Sequence, residues 1–146
     1  MNSSRSQGQT ILLVDDNRDG LLVRRALLEE AGYHVTSALN GEEGLKAFEG
    51  SSFDVVVTDY RMPKMDGLQL IVRIRKLKPQ TSIVLLSGFV DPLGLTEANT
   101  CADIVLPKGA SEAVALVRSV KRLINAASRK PPGRQGGIAR SRAKNQ

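Results

Sequence analysis

Short apolar runs alternate along the chain with segments whose apolar residues recur at helical spacing, and the alternation repeats five times without any internal sequence repeat. The runs predict strands over 10–14, 34–38, 54–58, 82–86 and 103–106, with helices filling the gaps. The first helix, expected over 18–31, directs Leu21, Leu22, Leu28 and Ala31 toward a core and stops at Gly32, a favoured residue just past a helix end. Asn40 is a good N-cap for the second, and Glu43 three residues on completes the pattern of a capping box. The third follows Asp66 and runs to Leu77, with Leu70, Ile74 and Leu77 on one face and Pro79 beyond its end. The last begins near Ser111, places Val114, Val117, Val120 and Ile124 at helical spacing, and ends near Ala127. The fourth helix is the weak one. Pro92 and Gly94 interrupt its start and Asn99 and Thr100 are poor helix formers, so 90–100 is expected to be mobile.

Strand composition then predicts the order of the sheet. The first, third and fourth strands are continuous Ile, Leu and Val, as strands covered on both faces must be, and belong in the middle. The second is half polar and the fifth is short, which suits edges. A parallel sheet of order 2-1-3-4-5 satisfies this, with right-handed crossovers placing helices on both faces of an α/β, doubly wound domain.

Composition narrows the class. At 146 residues with 41% hydrophobic and 25% charged, the chain suits one globular domain with a real core and excludes a multidomain enzyme. Cys101 is the one cysteine, so there is no intrachain disulfide and no thiolate cluster for zinc, and a reducing cytoplasm is the expected compartment. The longest apolar runs are far short of the ~18 residues of a membrane span, and Asp15 and Asp16 stop the first one too early for a signal peptide. Neither export nor a membrane span is expected. The net charge is +6, yet Arg129, Lys130, Arg134, Arg140, Arg142 and Lys144 lie in 129–146 with no acid among them, leaving a neutral body and a basic tail. That tail holds Pro and Gly and almost nothing apolar, so it is expected to be disordered, as is the N-terminal stretch 1–8.

Ligands of such a sheet bind outside the carboxyl ends of its strands. There the first strand ends in Asp15-Asp16, the third in Asp59, the fourth in Ser87 and the fifth in Pro107-Lys108. Three converging carboxylates concentrate charge that a cation relieves, and oxygen-only ligands select a hard metal, Mg²⁺ fitting best. Asp59 stands where a nucleophile would attack an in-line phosphorus to give an acyl phosphate, while Lys108 and the Ser87 hydroxyl meet the phosphoryl oxygens.

Together, Asp15-Asp16 after Ile-Leu-Leu-Val, Glu30-Ala31-Gly32-Tyr33, Asn40 to Gly44, Asp59 to Gly67, Ser87-Gly88 and Leu106-Pro107-Lys108 resemble the receiver domain of two-component response regulators, over about residues 9–127. The resemblance implies a flavodoxin-like (βα)5 fold with a receiver over 9–128. It implies that Asp59 is the phosphoacceptor, that Asp16, Asp59 and the carbonyl of Arg61 ligate Mg²⁺, that Asp15 acts largely through metal-bound water, and that Ser87 and Lys108 bind the phosphoryl group. The implied donor is a sensor histidine kinase or phosphotransfer protein, and the implied output is a switch for a protein partner rather than a metabolic reaction. A stand-alone receiver, monomeric or weakly dimeric, is the expectation.

Two positions depart from the family pattern. Val105 stands where a Tyr or Phe often reports phosphorylation through its rotamer, and Gly109 stands where a Pro usually follows the lysine. Neither removes a phosphoryl-chemistry group, so modification is expected to survive with an altered readout at Ser87 and Val105. A phosphorylation-independent interaction module is the alternative. Nucleic-acid binding through the tail is a further one, disfavoured because six cations give salt-dependent attraction without sequence readout and the tail holds no aromatic residue to stack on bases. A small phosphatase is disfavoured by Arg61, where such an enzyme wants a second acid. Structural roles suit Asp66-Gly67 as a turn and helix start, His34 as a half-exposed strand residue, Cys101 as a small buried or loop residue, and Tyr60 as a packing or access residue.

Overall fold

The computed structural model describes residues 8–88 and 94–128; the expectations for 1–7, for 89–93 and for the tail 129–146 lie outside the described residues. The elements follow in the order β1 (Thr10–Val14), α1 (Arg18–Glu30), β2 (His34–Ala38), α2 (Gly41–Gly50), β3 (Val55–Asp59), α3 (Gly67–Leu77), β4 (Ser82–Ser87), α4 (Glu97–Thr100), β5 (Ile104–Pro107) and α5 (Glu112–Ser128). All strand pairs are parallel and the sheet order is β2-β1-β3-β4-β5. The doubly wound α/β fold of the sequence reading is the one observed.

Period-two alternation sorts the strand residues between two cores. Ile11, Leu13, Val55, Val57, Val84 and Leu86 face α1 and α5, where Leu28, Leu116 and Val120 cover them. Leu12, Val14, Val56, Ile83 and Leu85 face the opposite way, against Phe48 of α2 and Leu70, Ile71 and Ile74 of α3. Apolar cover on both faces is why β1, β3 and β4 read as unbroken apolar runs. The edge strand β2 instead exposes His34 and Thr36 and buries Val35 and Ala38.

Strands β3 and β5 each run one residue later than expected, and β4 starts at Ser82 as expected but ends one residue later. Asp54 and Asp103 precede the ladder rather than joining it, because their carboxylates accept the backbone N–H of Thr10 and of Ile83 on the neighbouring strands, at 2.8 and 2.7 Å. At the other end Asp59 pairs with Leu86 and Ser87 with Pro107, which makes two of the candidate site residues part of the rigid sheet.

The helices correct four expected core positions. Leu22 is 65% exposed and Ala31 is exposed, because the inward stripe of α1 is Leu21, Arg24 and Leu28 and Leu22 lies about 100° round from Leu21. Leu77 in the last turn of α3 and Val114 in the first turn of α5 are likewise exposed, and Ile71 and Leu116 take the buried places. The second helix is capped by Asn40 accepting from Glu43 N, but the Glu43 carboxylate reaches one residue further back, to Leu39 N at 3.0 Å, so the reciprocal half of the box lies outside the cap. Asp66 and Gln69 form a full capping box at α3, and the weak fourth helix is a single capped turn. No described helix is long and apolar enough to cross a membrane.

Candidate functional site

The carboxyl ends of β1 and β3 lie side by side, since Val14 pairs with Thr58, and this brings the acids that follow them together. Asp15, Asp16 and Asp59 each offer a carboxylate oxygen, and these oxygens all lie within 4.8 Å of one another. Oxygens sharing one octahedral Mg²⁺ stand about 3–4 Å apart, so the trio matches a hard cation held partly through water. Asp15 and Asp59 are buried and Asp16 is exposed, which leaves the pocket one open side.

Asp59 is held from three directions. Its backbone belongs to the sheet. Its carbonyl accepts the Thr58 hydroxyl at 3.0 Å. Its carboxylate oxygen Oδ1 meets the Lys108 ammonium at 2.7 Å. Burial pushes the Asp59 carboxyl above its ordinary value and the Asp15 charge adds to that, while the hydrogen bond and charge of Lys108 pull it back down only in part. The group is thus a desolvated carboxylate with a cation on one oxygen.

Lys108 arrives there because its backbone N–H continues the edge of β4, donating to the Ser87 carbonyl at 3.1 Å. Ser87 ends β4 and is 1% exposed, its strand partner being Pro107. Arg61 follows in the loop after Asp59, with an exposed side chain. The loop returns to α3 at Gly67, whose N–H donates to the Tyr60 carbonyl at 2.8 Å. A Cβ at residue 67 would stand 2.4 Å from the Asp59 carbonyl oxygen, so glycine there lets the helix start press against the acid's own backbone. Tyr60 is partly buried against the α2/α3 core, which fits the packing role. Val105 on β5 donates its N–H to Glu97 of α4 at 3.0 Å. His34 is exposed on its edge strand, and Cys101 is an exposed loop residue in the left-handed conformation.

Two residues of this region escaped the sequence reading. Arg24, 9% exposed, binds Asp15 through Nη1 and Glu112 through Nε and Nη2, the latter pair at 2.5 and 3.2 Å. Burial works against its charge, but the hydrogen bond and charge of Glu112, with Asp15 and Asp59 behind, outweigh it and hold the guanidinium above its ordinary value. The missed signal is an arginine on the stripe between Leu21 and Leu28: a cation at an inward position requires an acid to meet it.

Residues 11–120 match the model of the response regulator receiver domain. The chain is 39% identical over 82 residues to the response regulator receiver protein CpdR of Brucella abortus, covering 54% of this chain and 66% of that one. It is 32% identical over 126 residues to the probable transcriptional regulator ycf27 of Cyanidium caldarium, covering 84% of this chain and half of the relative's length. The response regulator TrrA of Thermotoga maritima, solved in complex with Mg²⁺-BeF, superposes with a TM-score of 0.72 at 33% identity, covering 79% of this chain and 98% of that one.

Proposed function

Because the chain belongs to the response regulator receiver family, we propose that it takes a phosphoryl group on Asp59 and that the modified form differs in its preference for a protein partner. The carrying observation is the Asp59–Lys108 contact of 2.7 Å at the edge of the three-carboxylate pocket. Asp59 is the nucleophile: its free oxygen forms the new O–P bond as the P–N bond of a phosphohistidine donor breaks, and the departing imidazole keeps the electron pair and takes up a proton. Lys108 leaves Asp59 Oδ1 and neutralises a phosphoryl oxygen as a point charge. Ser87, in the adjoining strand, donates a hydrogen bond to another. Asp16, Asp59 and the Arg61 carbonyl would hold Mg²⁺, with Asp15 acting through its water shell. The ion supplies charge neutralisation for the equatorial oxygens.

The unit that does this is the receiver, 9–128, with a sensor histidine kinase or a phosphotransfer protein as the donor. Its output is a shift between two populations, biased by the new bonds to Ser87 and Lys108. With Val105 in place of an aromatic, the readout runs through the backbone of β5 and its contact to Glu97 rather than through a swinging ring.

Beryllofluoride with Mg²⁺, a stand-in for the phosphoryl group, tests this by amide spectra of the full chain. The expected result is slow-exchange shifts at Asp59, Ser87 and Lys108 that are absent in Asp59→Asn. Unchanged spectra in the wild type would defeat the switch and leave the phosphorylation-independent interaction module.

A further inference from the structure

The guanidinium of Arg24 is fully committed between two elements. Nε and Nη2 form a two-pronged hold on Glu112, in the first turn of α5, and Nη1 takes Asp15 Oδ2. The other oxygen of Asp15 accepts the N–H of Asn17 at 2.9 Å, so both carboxylate oxygens have fixed partners and the orientation of the group is set from outside the pocket. All three side chains are largely buried, at 11% exposure for Arg24, 1% for Asp15 and 13% for Glu112. Gly20, one turn earlier on α1, makes the room: a Cβ there would stand 2.8 Å from Arg24 Nη1. Glu112 also lies four residues after Lys108, and its N–H donates to the Gly109 carbonyl at 3.1 Å. The same glutamate therefore anchors the turn that carries the pocket's lysine.

We propose that Arg24 and Glu112 are a positioning pair for the acidic pocket: Glu112 aims the guanidinium, the guanidinium aims Asp15, and the affinity of the pocket for a divalent cation depends on where the first turn of α5 stands. Groups that orient the inner residues of a metal site typically change its affinity ten- to a hundredfold when lost. Coupling runs both ways, so whatever displaces the start of α5 changes cation affinity, and cation binding biases the α1/α5 seam by the same factor. The proposal rests on the reading of Asp15, Asp16 and Asp59 as a cation site.

The test is a titration of the full chain with MgCl₂, read by backbone amide shifts, on the wild type and on Arg24→Lys, Glu112→Gln and the double variant. Lysine keeps the charge but cannot span both carboxylates, and glutamine keeps the shape but loses the charge that holds the fork. Each single variant is expected to raise the Kd for Mg²⁺ about tenfold, and the double variant no further than twofold beyond either single, because both act through one path. A Kd within twofold of wild type in either folded single variant, whatever its thermal stability, would overturn the pair, as would additive losses in the double. If Arg24→Lys fails to fold, the nearly isosteric Glu112→Gln decides alone. A wild type that shows no Mg²⁺ response of its own, or one retained in full by Asp59→Asn, would instead defeat the cation-site reading on which the pair depends.

Discussion

Lys108 reaches across the end of β4 to place its ammonium 2.7 Å from Asp59 Oδ1, joining the last strand of the sheet to the central one at the point where the carboxylates crowd. The contact makes Lys108 the counter-charge of an otherwise desolvated acid. Removing it as Lys108→Met is expected to raise the Asp59 carboxyl further, since burial and Asp15 would then act with less opposition. Side-chain carboxyl titration by NMR checks the direction. An unchanged or lower value in the variant would show that Lys108 is not the counter-charge of Asp59.

The raised carboxyl of Asp59 has a sign for stability. The folded chain binds its proton more tightly than the unfolded chain does, so stability is greatest below the ordinary carboxylate value and falls as pH rises through the folded one. At neutral pH without metal, the wild type bears the full cost of the buried charge. Asp59→Asn is therefore expected to melt higher than the wild type at pH 7, with the difference shrinking as pH falls through the folded value. A variant that melts lower at pH 7 would contradict the assigned burial cost.

Metal should reverse that order. At about 100 times its Kd, a ligand of the folded state stabilises it by about 2.7 kcal/mol. Mg²⁺ is expected to raise the melting temperature of the wild type and leave Asp59→Asn little changed. Calorimetric melts with and without MgCl₂ measure this.

Gly67→Ala is expected to destabilise by about 1–3 kcal/mol, because its Cβ would meet the Asp59 carbonyl at 2.4 Å and backbone has to shift. Urea unfolding gives the loss, and Mg²⁺ affinity should fall with it as the residue carrying the acid moves. Stability close to that of the wild type would show that the loop does not press on Asp59.

Glu97→Gln weakens the acceptor for Val105 N–H on the edge of the sheet. Faster amide exchange is expected at Val105 with little change at Val56 or Val84 in the inner strands. Beryllofluoride-induced shifts should then spread less from Ser87 into α4. Identical exchange at Val105 in the two proteins would remove this contact from the readout.

Much of this architecture was legible because it follows from local chemistry. Apolar strands ending in Asp15-Asp16, Asp59, Ser87 and Pro107-Lys108 announce both a doubly wound sheet and a site at its rim. Helix faces were less legible: Leu22, Leu77 and Val114 look like core residues but lie where their helices overhang solvent, and only the docking angle decides that. The strand starts slipped by one because Asp54 and Asp103 use side chains to serve their neighbours' backbone. Arg24 and Glu112 are 88 residues apart, and no motif links them. Their meeting depends on α1 and α5 packing on the same face of the sheet, a consequence of topology.

The most direct measurement is to expose the full chain to acetyl phosphate and Mg²⁺, reduce the product with borohydride, and map the peptides. Reduction converts an aspartyl phosphate to homoserine and marks its position. Phosphorylation on Asp59 gives homoserine at residue 59, dependent on Mg²⁺ and lost in Asp59→Asn. Homoserine at residue 15 or 16 instead, or none at all, would contradict it.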